Sequence, residues 1–141
     1  MTEDLGAVLP DLHDPQAGPF WRAAHQGELR MQRCEDCGEL RWTPQDTCPH
    51  CLSRSYTWDR LSGRGRIYSY CVYHRVLNAA FTDVPYTVVM VTLDEGPVII
   101  GRLLDDAREP AIDDRVESVF TPVSTEMSLV NFQLAPESVT A

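Results

Sequence analysis

Cys34, Cys37, Cys48 and Cys51 stand in the spacing C-x2-C-x10-C-x2-C, inside the stretch CEDCGELRWTPQDTCPHC. Two such pairs form two short knuckles, each presenting two thiolates toward one tetrahedral metal ion. Gly38 follows the first pair and lets backbone amides turn in toward the sulfurs, and Pro49 restricts the turn within the second. Four cysteines close the coordination sphere and leave no position for water or substrate, so the pattern predicts a structural Zn2+ rather than a catalytic one. Iron suits the same four thiolates and would make the site an electron carrier, which keeps it as the alternative metal. His50 lies between two of the ligands and reads as an exposed loop residue.

A ribbon this short cannot bury a core of its own. Metal binding worth about 10–16 kcal/mol is a large part of what would hold it folded. The residues before it, PFWRAAHQGEL, predict a short helix over 19–28, with Pro19 in the first turn and Phe20, Trp21, Ala24 and Leu29 as its apolar stripe. Isolated helices below about 12 residues are marginal in water, so Phe20 and Trp21 must bury against something. Their own ribbon and a partner protein are both open as the answer.

After Cys51 the apolar residues recur with period two, the mark of strands. YTWDRLSGRGRIYSYCVYHRVL reads as a strand pair or one long bent strand, with Gly63 and Gly65 permitting the bend. YTVVMVTLD and PVIIGRLL flank Glu95-Gly96, a hairpin turn, and DRVESVFTPV and SLVNFQLAP supply two more strands. Alternation places Cys71 on the face of Ile67, Ser69 and Tyr73, where a small buried side chain is expected. The fold class is therefore mainly β, and a small closed antiparallel barrel is favoured because closure removes exposed edges. A five-stranded barrel of the oligonucleotide/oligosaccharide-binding (OB) type is the first choice, and an open sandwich is the alternative.

The 141 residues carry 12 basic and 21 acidic side chains, a net charge of −9, which disfavours binding to a phosphate backbone. No stretch approaches the roughly 20 apolar residues that span a bilayer, and the first residues lack the pattern of a signal peptide. Five cysteines without an export signal fit thiolate ligands plus one free thiol better than a disulfide framework. These features predict a cytoplasmic protein with neither membrane nor nucleic acid as partner. Residues 1–15, acidic and aperiodic, read as an arm.

Three segments, PFWRAAHQGELRMQRCEDCGELRWTPQDTCPHC, GRGRIYSYCVYHRV and VPYTVVMVTLDEGPVIIGRL, resemble the zinc-ribbon/OB-fold acyl-CoA-associated proteins known as domain of unknown function 35. The resemblance implies an N-terminal arm and short helix over 1–32, a rubredoxin-like zinc ribbon over 33–57 and an OB-fold domain over 58–141. It also implies an accessory subunit, in a hetero-oligomer with a thiolase-like enzyme or a steroid side-chain retro-aldolase, with acyl-CoA at or near the shared interface. Gln45 stands where the family often has arginine.

On that reading Phe20, Trp21, Phe81 and Tyr86 are expected at a docking interface, which large apolar faces suit. Arg64 and Arg66 could meet the phosphates of coenzyme A. A second reading makes the chain a stand-alone acyl-CoA enzyme, a hydratase, aldolase or thioesterase, with His74 as general base beside Asp83 or Tyr86. A third is a single-strand-binding module, with Arg60, Arg64, Arg66 and Arg75 interleaved by Tyr68, Tyr70 and Tyr73.

Overall fold

The computed structural model describes residues 10–77, 82–104 and 109–135. A single helix, α1 (Gly18–His25), opens the described chain, with Pro19 in its first turn and Phe20, Ala23 and Ala24 buried. It stops three residues short of the 19–28 expected from the apolar stripe. Gly27 adopts φ 82, and the N–H groups of Gln26, Gly27 and Glu28 turn back to the carbonyls of Ala23 and Ala24. That left-handed residue ends the helix. Leu29, assigned to the helical stripe by its spacing, instead starts a strand and pairs with Leu61.

A three-stranded sheet follows, built from β1 (Leu29–Cys34), β2 (Leu40–Arg41) and β3 (Tyr56–Leu61) in the order β2-β1-β3. Its hydrogen bonding crosses both of the boundaries placed at 32/33 and 57/58. The chain then reverses at Gly63, where φ is 77 and an added Cβ would lie 2.3 Å from Ser118 Oγ. The segment after Cys51 is thus a strand pair whose first member belongs to the ribbon.

The remaining strands are β4 (Arg64–Tyr73), β5 (Tyr86–Leu93), β6 (Val98–Leu103), β7 (Arg115–Pro122) and β8 (Ser128–Leu134). They close a barrel in the order β4-β5-β6-β8-β7, joined by pairing of Arg64, Gly65 and Arg66 with Glu117, Val116 and Arg115. Strand direction cannot alternate all the way round a ring of five. The structure places its one parallel seam between β6 and β8, at Leu103 and Phe132. The expected antiparallel barrel holds everywhere else, and the β5–β6 hairpin turns at Glu95 and Gly96 as its sequence predicts.

One buried cluster runs through all three parts: Phe20 and Ala24 from the helix, Leu29, Met31 and Leu61 from the ribbon sheet, and the barrel interior around Ile67, Val91 and Phe132. The ribbon is therefore packed into the same core as the barrel.

A β-bulge in β4 alters what faces that core. Ile67 pairs with Val91 but Ser69 pairs with Met90, which leaves Tyr68 as the extra residue. Beyond it the alternation inverts, so Tyr70 packs against the core and Cys71 is exposed. The expectation that Cys71 shares the buried face of Ile67 is corrected by that one inserted residue. Among the described residues no helix is long and apolar enough to cross a membrane.

Candidate metal centre and docking surface

Both knuckles use the same local turn. Gly38 N–H donates to the Cys34 carbonyl at 3.1 Å with φ 80, and Leu52 N–H donates to the Cys48 carbonyl at 2.9 Å with φ 67. The first turn was signalled by its glycine. The second uses a leucine in the left-handed region and gave no such sign.

The four sulfurs lie within 4.8 Å of one another. Cys34 Sγ is 3.6 Å from Cys51 Sγ, and Cys37 Sγ is 3.6 Å from Cys48 Sγ. These separations are far beyond a disulfide bond. They match the edge of about 3.8 Å in a tetrahedron with metal–sulfur bonds of about 2.3 Å.

Backbone amides point at the sulfurs, with His50 and Cys51 N–H donating to Cys48 Sγ at 3.3 and 3.4 Å. The Cys34 thiol is lowered to about 6, chiefly by the N–H of Cys37 and also by that of Asp36, against burial. For Cys37 the Glu39 amide favours the thiolate, yet burial and bonds from the neighbouring sulfurs outweigh it and push the thiol up to about 12. Four thiols this close cannot all ionise without a cation between them, so the residues present fit a tetrahedral metal.

Two buried polar side chains back the ribbon, and neither was anticipated. Gln32 and Arg41 face each other across β1 and β2. Gln32 Oε1 accepts the Gln45 N–H at 2.8 Å, and Arg41 lies over the Tyr56 ring at 4.8 Å. His50 is exposed, as its loop position predicts.

Phe20, expected at an interface, is only 3% exposed and is packed into the core. Its ring lies 4.9 Å from Trp21 and 4.8 Å from Trp42, so it joins helix to ribbon and is closed to a partner. Trp21 is half-buried. It lines an apolar cleft of about 230 Å³ with Trp42, Ile100, Leu129 and others, where helix, ribbon and barrel meet. Ile100 is 60% exposed beside it, a residue whose outward position alternation alone would have revealed.

Arg64, Arg66 and Tyr68 are exposed on β4. Arg115, opposite Arg66, forks onto Asp94 at 2.8 and 3.0 Å. That guanidinium holds Asp94 below the usual carboxylate range, with smaller contributions from Arg64 and Arg66. Tyr70 is turned inward by the bulge, which breaks up the aromatic and basic interleaving read from the sequence.

His74 is exposed just past the end of β4, and its suggested carboxylate is engaged elsewhere. Asp83 is gripped by Arg102, with Nη2 to Oδ2 at 2.6 Å and Nη1 to Oδ1 at 3.3 Å. Tyr86 stacks on Tyr73 at 5.2 Å and lies under the Arg102 guanidinium at 5.0 Å. The structure thus brings Asp83 and Tyr86 together at Arg102. Phe81 lies outside the described residues.

Residues 21–57 match the rubredoxin-like zinc ribbon domain of ChsH2, and residues 58–121 match its C-terminal OB-fold domain. A probable enoyl-CoA hydratase alpha subunit of Thermomonospora curvata is 42% identical over 88 residues, 60% of this chain and 27% of that protein. The chain therefore spans about a quarter of that longer relative. A DUF35 domain-containing scaffold protein of Methanothermobacter thermautotrophicus is 32% identical over 75% of this chain and 82% of its own length. The benzoylsuccinyl-CoA thiolase subunit BbsA of Thauera aromatica is 29% identical, over 81% of this chain and 74% of its own. Among solved structures, a chain described as Ltp2-ChsH2(DUF35) aldolase superposes with a TM-score of 0.78 at 31% identity, covering 89% of this chain and 98% of that one. With its four-cysteine ribbon and five-stranded barrel, the chain belongs to the ChsH2/DUF35 family, and it is homologous to subunits associated with thiolases and aldolases.

Proposed function

We propose that this protein is a non-catalytic, cytoplasmic subunit that docks on a thiolase-superfamily enzyme, a thiolase or a retro-aldolase of steroid side chains, and supports its action on acyl-CoA. The observation that carries the reading is the apolar cleft at Trp21 with Ile100 exposed beside it, on a fold that matches the DUF35 chain of an aldolase along nearly all its length. Exposed apolar side chains beside a half-buried aromatic suit the centre of a protein interface.

In this reading Cys34, Cys37, Cys48 and Cys51 hold a structural Zn2+. The metal supplies rigidity and takes no part in a reaction. The ribbon it fixes carries Trp42, and Trp42 helps to set Phe20, the helix and hence Trp21. Arg64 and Arg66, exposed on β4, are the cations assigned to coenzyme A phosphates.

Co-expression of the full chain with a thiolase-superfamily subunit from the same organism tests the proposal. The expected result is a complex that elutes together and turns over acyl-CoA faster than the enzyme alone. Separate elution, with the enzyme fully active by itself, would remove its content.

A further inference from the structure

Arg41 carries its charge into the ribbon with no carboxylate to meet it. The residue is 1% exposed, and among the described residues its guanidinium forms no ion pair. A buried charge in that position is costly unless something of opposite sign lies close by.

Its hydrogen bonds show where it is directed. Nη2 donates to the carbonyls of Ser53 and Ser55 at 3.0 and 3.1 Å, Nη1 donates to that of Gln45 at 3.3 Å, and Nε has no partner. The same Ser53 carbonyl accepts the N–H of Cys48 at 2.8 Å, and the Ser55 carbonyl accepts the N–H of Glu35 at 3.0 Å. One guanidinium thus shares a carbonyl with the backbone of each knuckle. Four thiolates around a divalent ion carry a net double negative charge.

We propose that Arg41 is the internal counter-ion and positioning residue of the four-thiolate centre. Its charge offsets that of the occupied site, and its fork holds the backbone that aims both knuckles. The inference rests on assigning a divalent metal to the four cysteines.

The sign of the charge provides a readout that packing alone would not move. In the iron-loaded full-length protein, reducing the ferric centre at an electrode adds one negative charge, and a nearby cation favours the reduced form. Arg41→Gln is expected to lower the reduction potential, while Arg41→Lys, which keeps the charge, stays near the unaltered protein. In competition with a chromophoric chelator, Arg41→Gln should weaken zinc binding about 10–100-fold, with Arg41→Lys affected less. Leu29→Ala, a core control, should lower the melting temperature and leave the potential in place.

Equal potentials in the unaltered, Gln and Lys proteins would overturn the proposal, and so would loss of metal loading in Lys and Gln alike. Loading of the Lys protein alone would support it. Failure of the unaltered chain to take up either metal would instead overturn the metal assignment itself, and the proposal with it.

Discussion

The ring of Phe20 lies 4.8 Å from that of Trp42, so the helix that carries Trp21 is seated on the ribbon that carries the four cysteines. Removing the ring leaves a cavity where helix, ribbon and barrel share one core. Phe20→Ala is expected to lower unfolding free energy by about 3–5 kcal/mol in urea titration. A loss below about 1 kcal/mol would mean that the helix is held by other contacts.

Metal removal should act through the same connection. Structural zinc contributes binding energy comparable to the whole stability of a small domain. A chelator at neutral pH is therefore expected to unfold the ribbon, expose Trp42 and Trp58 to water and red-shift their fluorescence. Cys48→Ser should do the same without chelator. An unchanged melting temperature after complete metal removal would contradict a structural role.

The four-cysteine cluster, the strand periodicity, the Glu95-Gly96 turn and the reversal at Gly63 were legible because each is a local pattern with a local physical cause. The inverted face of Cys71 was not, because a bulge at Tyr68 depends on how β4 registers with β5. Asp83 was paired in sequence with nearby His74, but its partner Arg102 is 19 residues away and arrives only through the β5–β6 pairing. Arg41 gave no sign of burial, since arginine is ordinarily a surface residue and its acceptors are backbone carbonyls. Gly27 was visible, yet its left-handed conformation, rather than the apolar stripe, set the end of the helix.

Asp94 provides a pH test. Its folded pKa lies below the ordinary value of 3.8, chiefly through Arg115. The resulting stabilisation is fully present above the unfolded pKa and is lost as pH falls through the lowered folded one. Both side chains are about two-fifths exposed, 41% and 42%, so solvent screening limits the pair to about 0.2–1 kcal/mol. Asp94→Asn is expected to cost that much at pH 7 and nothing at the acid end, where the unaltered carboxylate is protonated too. Parallel stability curves for the two proteins across pH 2–7 would contradict the assignment.

Arg64 and Arg66 separate coenzyme contact from docking. Reversing both charges should weaken the acyl-CoA affinity of the assembled complex about tenfold or more, as lost charge-assisted bonds do, with little effect on subunit association. Unchanged acyl-CoA affinity would remove these residues from the site.

Docking through the cleft at Trp21 is probed best at Ile100, which is exposed, apolar and beside Trp21. The decisive measurement is the dissociation constant between the zinc-loaded chain and a purified thiolase-superfamily partner, for the unaltered protein and for Ile100→Asp. A carboxylate at the centre of an apolar interface is expected to weaken association by at least about 2 kcal/mol, roughly thirtyfold, with the melting temperature of the free subunit preserved. Equal affinity for the two proteins, or no association with the unaltered one, would contradict docking through this face.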